Sequence, residues 1–233
     1  MSLFQSLSVG ASAGAWFPQD CALCGALAPS LLCAPCHAEL PPARAGCPQC
    51  AAPGTADDLC GQCLRSPPQF DATVSAFRYD FPLDRLVQSF KFNGNLAFSH
   101  LFAQALVEQV RGYPVPNVIV AVPLAKARLL TRGFNQSALV AAEIAKALSV
   151  RCDNFGLLKT RETVPQAGLD RDARHKNVKG AFACSTPLTG LTVAVVDDVM
   201  TTGATLSEAA RALKAQGAAR VVAWVVARAD RLR

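Results

Sequence analysis

From about residue 73 onward, apolar runs of strand length alternate with stretches of helical period. Thr73–Tyr79 (T-V-S-A-F-R-Y) alternates as a strand does, and Pro82 opens a short helix reaching about Phe92. Asn93-Gly94-Asn95 is a turn, and Leu96–Arg111 spaces Leu, Phe, Ala and Val as a helix. Asn117–Val122 reads as a buried strand, Gln136–Leu148 as a helix and 155–160 as a further strand. Residues 161–179 are polar and lack an apolar period, which predicts a long mobile loop. Leu191–Val196 is a strongly apolar strand, Ala204–Gln216 a helix closed by Gly217, and Arg220–Ala227 a last buried strand. Strand, helix and strand in this order predict βαβ units, hence an α/β domain with a parallel sheet flanked by helices.

Before residue 73 this pattern is missing. The expected organisation is an N-terminal segment (1–20), a cysteine-rich module (21–64), a linker around Ser66-Pro67-Pro68 (65–72) and the α/β domain (73–233). Composition agrees with a folded chain: 51% hydrophobic and 17% charged residues exclude wholesale disorder.

Eight of the ten cysteines form four Cys-x-x-Cys pairs: Cys21/Cys24, Cys33/Cys36, Cys47/Cys50 and Cys60/Cys63. Residues 1–20 carry no Lys or Arg, so the basic start of a secretory leader is missing, and no segment has 18 uninterrupted apolar residues. A reduced, cytoplasmic protein without membrane insertion is therefore expected, with thiolates holding metal rather than disulfides. Two knuckles complete one tetrahedral four-thiolate Zn2+ site, so four make two. Neighbouring pairs give Cys21, Cys24, Cys33 and Cys36 on one ion and Cys47, Cys50, Cys60 and Cys63 on the other; spacing also allows an interleaved grouping. So short a module buries little core, and a structural zinc contributes roughly 10–16 kcal/mol in small fingers. Cys33-Ala34-Pro35-Cys36-His37 matches a c-type haem attachment motif, but that chemistry needs export and the other pairs lack the His.

The stretch Val193–Leu206 carries the chemistry. An apolar strand ends in Asp197 and Asp198, then enters a turn, Thr201-Thr202-Gly203-Ala204-Thr205, that opens a helix. Carboxylates at the carboxyl end of a parallel strand face the crevice where open α/β sheets bind ligands, and they accept hydrogen bonds from vicinal sugar hydroxyls. The turn offers backbone N–H groups and Thr hydroxyls to a phosphate. Together these describe a site for a ribose 5-phosphate. The competing reading is two helix-capping carboxylates and a filled turn.

Here the chain resembles the type I phosphoribosyltransferases, whose signature is an apolar strand, two acidic residues and a Thr/Gly-rich loop. That resemblance implies 5-phosphoribosyl 1-pyrophosphate (PRPP) with Mg2+. Asp197 and Asp198 would hold the ribose 2- and 3-hydroxyls, and residues 201–205 the 5-phosphate. Val120-Ala121-Val122-Pro123-Leu124 leads on to Arg132-Gly133-Phe134-Asn135-Gln136. With Phe90–Asn95, Asn177–Phe182 and the Cys module, this is similar to the ComF family of competence proteins, over about residues 21–228. The resemblance implies a role in natural transformation, with incoming single-stranded DNA and competence-machinery proteins as partners, the latter docking on the zinc ribbon.

Charge sorts the remaining candidates. Residues 126–179 hold eleven Lys/Arg against five Asp/Glu, equal to the +6 of the whole chain. Lys126, Arg128 and Arg132 follow a strand end and form a candidate pyrophosphate loop. Lys91 reads equally as a phosphate contact or as a snorkelling side chain beside Phe90 and Phe92. Arg161, Arg171, Arg174, Lys176 and Lys179 suit a flap over substrate or a track for single-stranded DNA. Residues 1–64 carry only Arg44 against four acidic side chains, the wrong sign for gripping phosphates, so a structural or docking role is expected there. Three functions stay open: phosphoribosyl transfer to an unidentified nucleophile, DNA handling without catalysis, and a regulator that senses PRPP.

Overall fold

The apolar runs fold as one five-stranded parallel sheet. The structure is a computed structural model and describes residues 18–55, 58–162 and 171–230. The chain falls into two compact units, Met1–Leu40 and Pro41–Arg233.

In the first unit, Gln19–Asp20 pairs antiparallel with Leu27–Ala28 around the Cys21/Cys24 knuckle. A single helical turn, Ala34–Ala38, follows with Cys33 at its N-cap and Pro35 in its first turn. The expected N-terminal segment falls, over 1–17, outside the described residues.

The second unit opens with the segment carrying Cys47, Cys50, Cys60 and Cys63 and a short helix, Gly61–Arg65. Then come β1 (Ala72–Arg78), α1 (Leu83–Phe92), α2 (Ala97–Val110) and β2 (Val118–Ala121). Next are α3 (Lys126–Arg132), α4 (Gln136–Leu148), β3 (Arg151–Asp153) and β4 (Leu157–Lys159). The chain continues through α5 (Arg171–Val178), β5 (Phe182–Cys184), β6 (Thr192–Met200), α6 (Ala204–Lys214) and β7 (Arg220–Arg228). The sheet order is β1-β7-β6-β2-β3, all parallel; β4 and β5 pair antiparallel beside it.

Residues alternate between the two faces of the sheet. Val193, Val195, Val221, Ala223 and Val225 share a core with Leu206, Ala209 and Leu213 of α6. The four cysteines 47, 50, 60 and 63 belong to that same core. Helices α2 and α4 pack on each other, α2 against β1 and β7 and α4 against β2 and β6. The edge strand β1 is partly covered by the segment before the second knuckles: Pro42 bridges Phe77 antiparallel and Ala43 N–H donates to the Ala76 carbonyl.

The second cysteine cluster falls in the larger unit because it packs into the core of the sheet.

Two expectations are corrected. The basic stretch after Val122 is a helix, not a loop: α3 ends at Gly133, whose φ of 79° is the left-handed cap a glycine takes at no steric cost. The long loop is interrupted by α5, whose end is fixed by tertiary contacts. Arg161 Nη2 donates to the carbonyls of Asn177 (2.9 Å) and Lys179 (2.8 Å), and Val178 is buried. Glu208 accepts from the Gly180 N–H at 2.8 Å. The part of that loop over 163–170 lies outside the described residues.

Candidate functional site

Each half of the cysteine set converges. The sulfurs of Cys21, Cys24, Cys33 and Cys36, and separately those of Cys47, Cys50, Cys60 and Cys63, all lie within 4.8 Å of one another. Neighbouring pairs therefore group together, and the interleaved alternative falls away. Cys24 and Cys33 Sγ are 3.7 Å apart, and Cys50 and Cys60 Sγ 3.6 Å. A tetrahedral zinc with sulfurs at about 2.3 Å sets its ligands about 3.8 Å apart, so both clusters fit that ion. Backbone N–H groups of Cys33 and Cys60 reach Cys21 and Cys47 Sγ at 3.4 Å each. Four thiols this close cannot all ionise unaided. The hydrogen bonds its S–H donates to Cys33 and Cys24 push the Cys36 thiol up to about 12. Burial and the Cys50 thiolate push Cys63 up as well. A divalent cation removes that conflict.

The second locus lies at the carboxyl ends of β2 and β6. Asp197 and Asp198 are inside β6, which runs on through Met200, rather than beyond the strand. A cavity of about 330 Å³ opens there, lined by both aspartates together with Tyr79, Lys91, Arg128, Arg132, Ser137, Lys159, Thr201 and Thr205. Ser137, held at the start of α4, donates its hydroxyl to Asp197 Oδ1 at 3.0 Å. Asp198 N–H reaches the same oxygen at 2.9 Å. Lys91 Nζ pairs with Asp198 Oδ2 at 2.9 Å, and Val199 N–H with Asp198 Oδ1 at 2.6 Å. Burial pushes the Asp197 carboxyl up to about 7, the charge of Asp198 adding to it. The Asp198 N–H, Lys91 and the Ser137 hydroxyl oppose that rise.

The turn that follows carries Thr201 and Thr205 into this cavity, while Thr202, Gly203 and Ala204 line a small adjoining recess with Asp197. Gly203 sits at φ 80°, and a Cβ there would stand 2.7 Å from Met200 Cε and 3.4 Å from Phe70 Cζ. Only glycine suits both the conformation and the space. Ala204 N–H reaches Thr202 Oγ1 at 3.3 Å.

The basic candidates separate. Arg128 and Arg132 line the cavity; Lys126 is exposed and does not. Arg132 is held in place by the Phe92 ring, 5.0 Å below its guanidinium, and by Gln136 Oε1 at 3.2 Å. Arg161 caps α5, and Lys176 and Lys179 are exposed away from the cavity lining. Arg171 and Arg174 lie on α5, with side chains outside the described residues.

Three lining residues, Ser137, Lys159 and Tyr79, carry no sequence signal of a site. Lys159 stands on β4 beside the ring of Phe182, 5.7 Å away. Burial and the nearby Arg128 charge pull its ammonium below the usual lysine range, while Glu162 and Asp197 oppose the shift.

Among the described residues, no helix is long and apolar enough to cross a membrane.

Residues 135–232 match the phosphoribosyl transferase domain family, and residues 13–64 the double zinc ribbon domain. A "DNA utilization protein YhgH" of Salmonella typhi is 38% identical over 189 residues, 78% of this chain and 83% of its own. Its namesake in Escherichia coli K12 is 34% identical over 84% of this chain and 90% of its own. "Competence protein F" of Haemophilus influenzae is 33% identical over 73% of this chain and 78% of its own. A double zinc ribbon joined to a phosphoribosyltransferase-type sheet, with relatives at this level along most of its length, places the chain in the ComF family of competence and DNA-utilization proteins.

Proposed function

We propose that the chain binds PRPP with Mg2+ in the cavity at the end of β6 and transfers its phosphoribosyl group to an acceptor, within the handling of DNA taken up by the cell. The observation that carries this reading is one small cavity whose lining gathers the carboxyl groups of Asp197 and Asp198 with the cationic side chains of Arg128, Arg132 and Lys159, beside the glycine-bearing turn 201–205.

In this reading the carboxylates accept hydrogen bonds from the ribose 2- and 3-hydroxyls, with Ser137 orienting Asp197 and Lys91 orienting Asp198. Backbone N–H groups and hydroxyls of residues 201–205 take the 5-phosphate. Arg128, Arg132 and Lys159 face the diphosphate. When bound, Mg2+ neutralises diphosphate charge through oxygen ligands, and the carboxylate-lined cavity suits such a hard cation. The bond between the anomeric carbon and the diphosphate oxygen breaks, its electron pair leaving with pyrophosphate. The acceptor supplies the pair for the new bond. Positive charge gathers on the ribosyl ring meanwhile, and the two carboxylates lie where they offset it. The chain contributes positioning and electrostatics.

The relatives' names support DNA handling, and the +6 net charge of residues 126–179 supports contact with single-stranded DNA. The cysteine clusters hold two zinc ions, and the ribbon docks partner proteins of the competence machinery in a reducing cytoplasm.

Calorimetry with PRPP and Mg2+ tests the site: binding to the native chain and its loss in Asp198→Asn are expected. Equal affinity in both overturns the assignment. Pyrophosphate release with a panel of bases and amines tests transfer; inertness throughout leaves a binding or sensing role. Salt-sensitive single-strand binding that survives Asp198→Asn but is lost on neutralising Arg171, Arg174 and Lys176 supports DNA handling as a separate activity.

A further inference from the structure

The Cys47–Cys50 knuckle reaches the phosphate turn by two separate routes. The first is Arg228, the last residue of β7, which is 5% exposed. Its Nε donates to the Cys50 carbonyl at 2.9 Å. Its Nη1 donates to the carbonyls of Met200 (3.1 Å), Thr201 (2.6 Å) and Ala229. The second is Gln49, between the two cysteines. Its Nε2 donates to the Phe70 carbonyl at 3.2 Å, and its own carbonyl accepts from Thr73 Oγ1 at 2.7 Å. The Phe70 ring, 1% exposed, packs beside Met200 against Gly203.

A buried guanidinium is tolerated only with its donors satisfied. Here the acceptors come from two places at once: the metal knuckle, and the two residues that begin the turn. If the knuckle loses its fold, Arg228 loses the Cys50 carbonyl and shifts, and the Met200 and Thr201 carbonyls follow it. Phe70, released by Gln49, loosens the floor under Gly203.

We propose that Arg228 and Gln49 are positioning residues that set the phosphate turn through the second cysteine cluster. Metal on Cys47, Cys50, Cys60 and Cys63 and a ribose 5-phosphate group at residues 201–205 thereby stabilise one another. This inference rests on reading the turn as the phosphate site. Linkage makes the effect reciprocal: whatever the metal adds to phosphate affinity, the phosphate adds to metal retention. The first cluster, in the Met1–Leu40 unit, serves as an internal reference.

The test uses the full chain loaded with two zinc ions and ribose 5-phosphate as the probe, which needs no added metal. Zinc release to a chromophoric chelator is followed with and without the probe. One equivalent is expected to leave about fivefold more slowly or better when the probe is saturating, the other at an unchanged rate. Cys36→Ser identifies the unprotected equivalent as that of the first cluster. Arg228→Met and Gln49→Ala are expected to lose the protection and to bind the probe more weakly. Arg228 is buried, so Gln49→Ala, which removes one half-buried amide, keeps the test decisive should Arg228→Met not fold. Native protein that binds ribose 5-phosphate calorimetrically, yet releases both ions at probe-independent rates, overturns the coupling and leaves the phosphate site standing. Equal slowing of both ions, or full protection in Gln49→Ala, overturns it too. No binding of the probe to the native chain removes the phosphate site and the coupling together.

Discussion

Lys91 Nζ lies 2.9 Å from Asp198 Oδ2, with both side chains largely shielded from water. The pair spans from the end of α1 to β6 and puts the Lys91 head group at the cavity. Lys91→Met leaves Asp198 shielded without its cation. A loss of about 1–3 kcal/mol in unfolding free energy is expected, the cost of stranding a buried charged partner. Lys91 also holds the Asp197 pKa down, so the variant's Asp197 carboxyl should titrate higher. Carbon-13 NMR of the carboxyl groups reads this directly; an unmoved Asp197 resonance counts against the electrostatic role.

Asp197 gives the ligand-free protein a pH dependence of definite sign. Its carboxyl is pushed up to about 7 by burial and by Asp198, whereas in the unfolded chain it titrates near 3.8. Between these values the folded state keeps a proton that the unfolded state has lost, so the stabilisation is present below about 4 and fades as pH rises towards 7. Denaturation curves across this window should show stability falling less steeply in Asp197→Asn than in the native chain. Parallel pH profiles for the two proteins would refute the shift.

Gly203→Ala places a methyl 2.7 Å from Met200 Cε at a φ of 80°. A destabilisation of about 1–3 kcal/mol follows from the backbone alone, and the displaced Met200 and Phe70 deform the turn. PRPP affinity, measured by calorimetry on the folded fraction, should fall with it. An unchanged affinity separates the turn from phosphate binding.

The two cysteine clusters should differ in what they support. Cys63→Ser strikes the core shared by β6, β7 and α6, and a loss of about 3 kcal/mol or more is expected in the Pro41–Arg233 unit. Cys36→Ser also releases one zinc but leaves the melting of that unit unchanged. Metal analysis with calorimetric melting of both variants distinguishes them; equal melting of the two contradicts the partition.

Much of the sheet is legible in the sequence because its strands are near-continuous apolar runs and its longer helices have a clear period. Gln136–Leu148 matches α4 residue for residue. The run of Asp197 and Asp198 into a Thr/Gly turn is legible too, since chemistry and local structure coincide there. What escapes depends on contacts distant in sequence. Helix α5 has no apolar stripe and owes its ending to Arg161 and Glu208. Ser137 looks like any residue in a helix start until Asp197 meets it from sixty residues away. Arg228 looks like a strand-end surface arginine until its carbonyl partners are counted. Spacing likewise gives the knuckles but not the sheet core that the second cysteine cluster joins.

The segment laid along β1 has one more consequence. A parallel sheet ending in a bare seven-residue strand offers a template on which a foreign strand can grow. Pro41 and Pro42 sit on that strand's open side, one accepting from the Arg78 N–H and the other bridging Phe77. Neither has an amide hydrogen to hand outward to a further chain. The approach to the second metal knuckle therefore acts as a guard rail, terminating the ladder and protecting a concentrated solution of this protein from edge-to-edge aggregation.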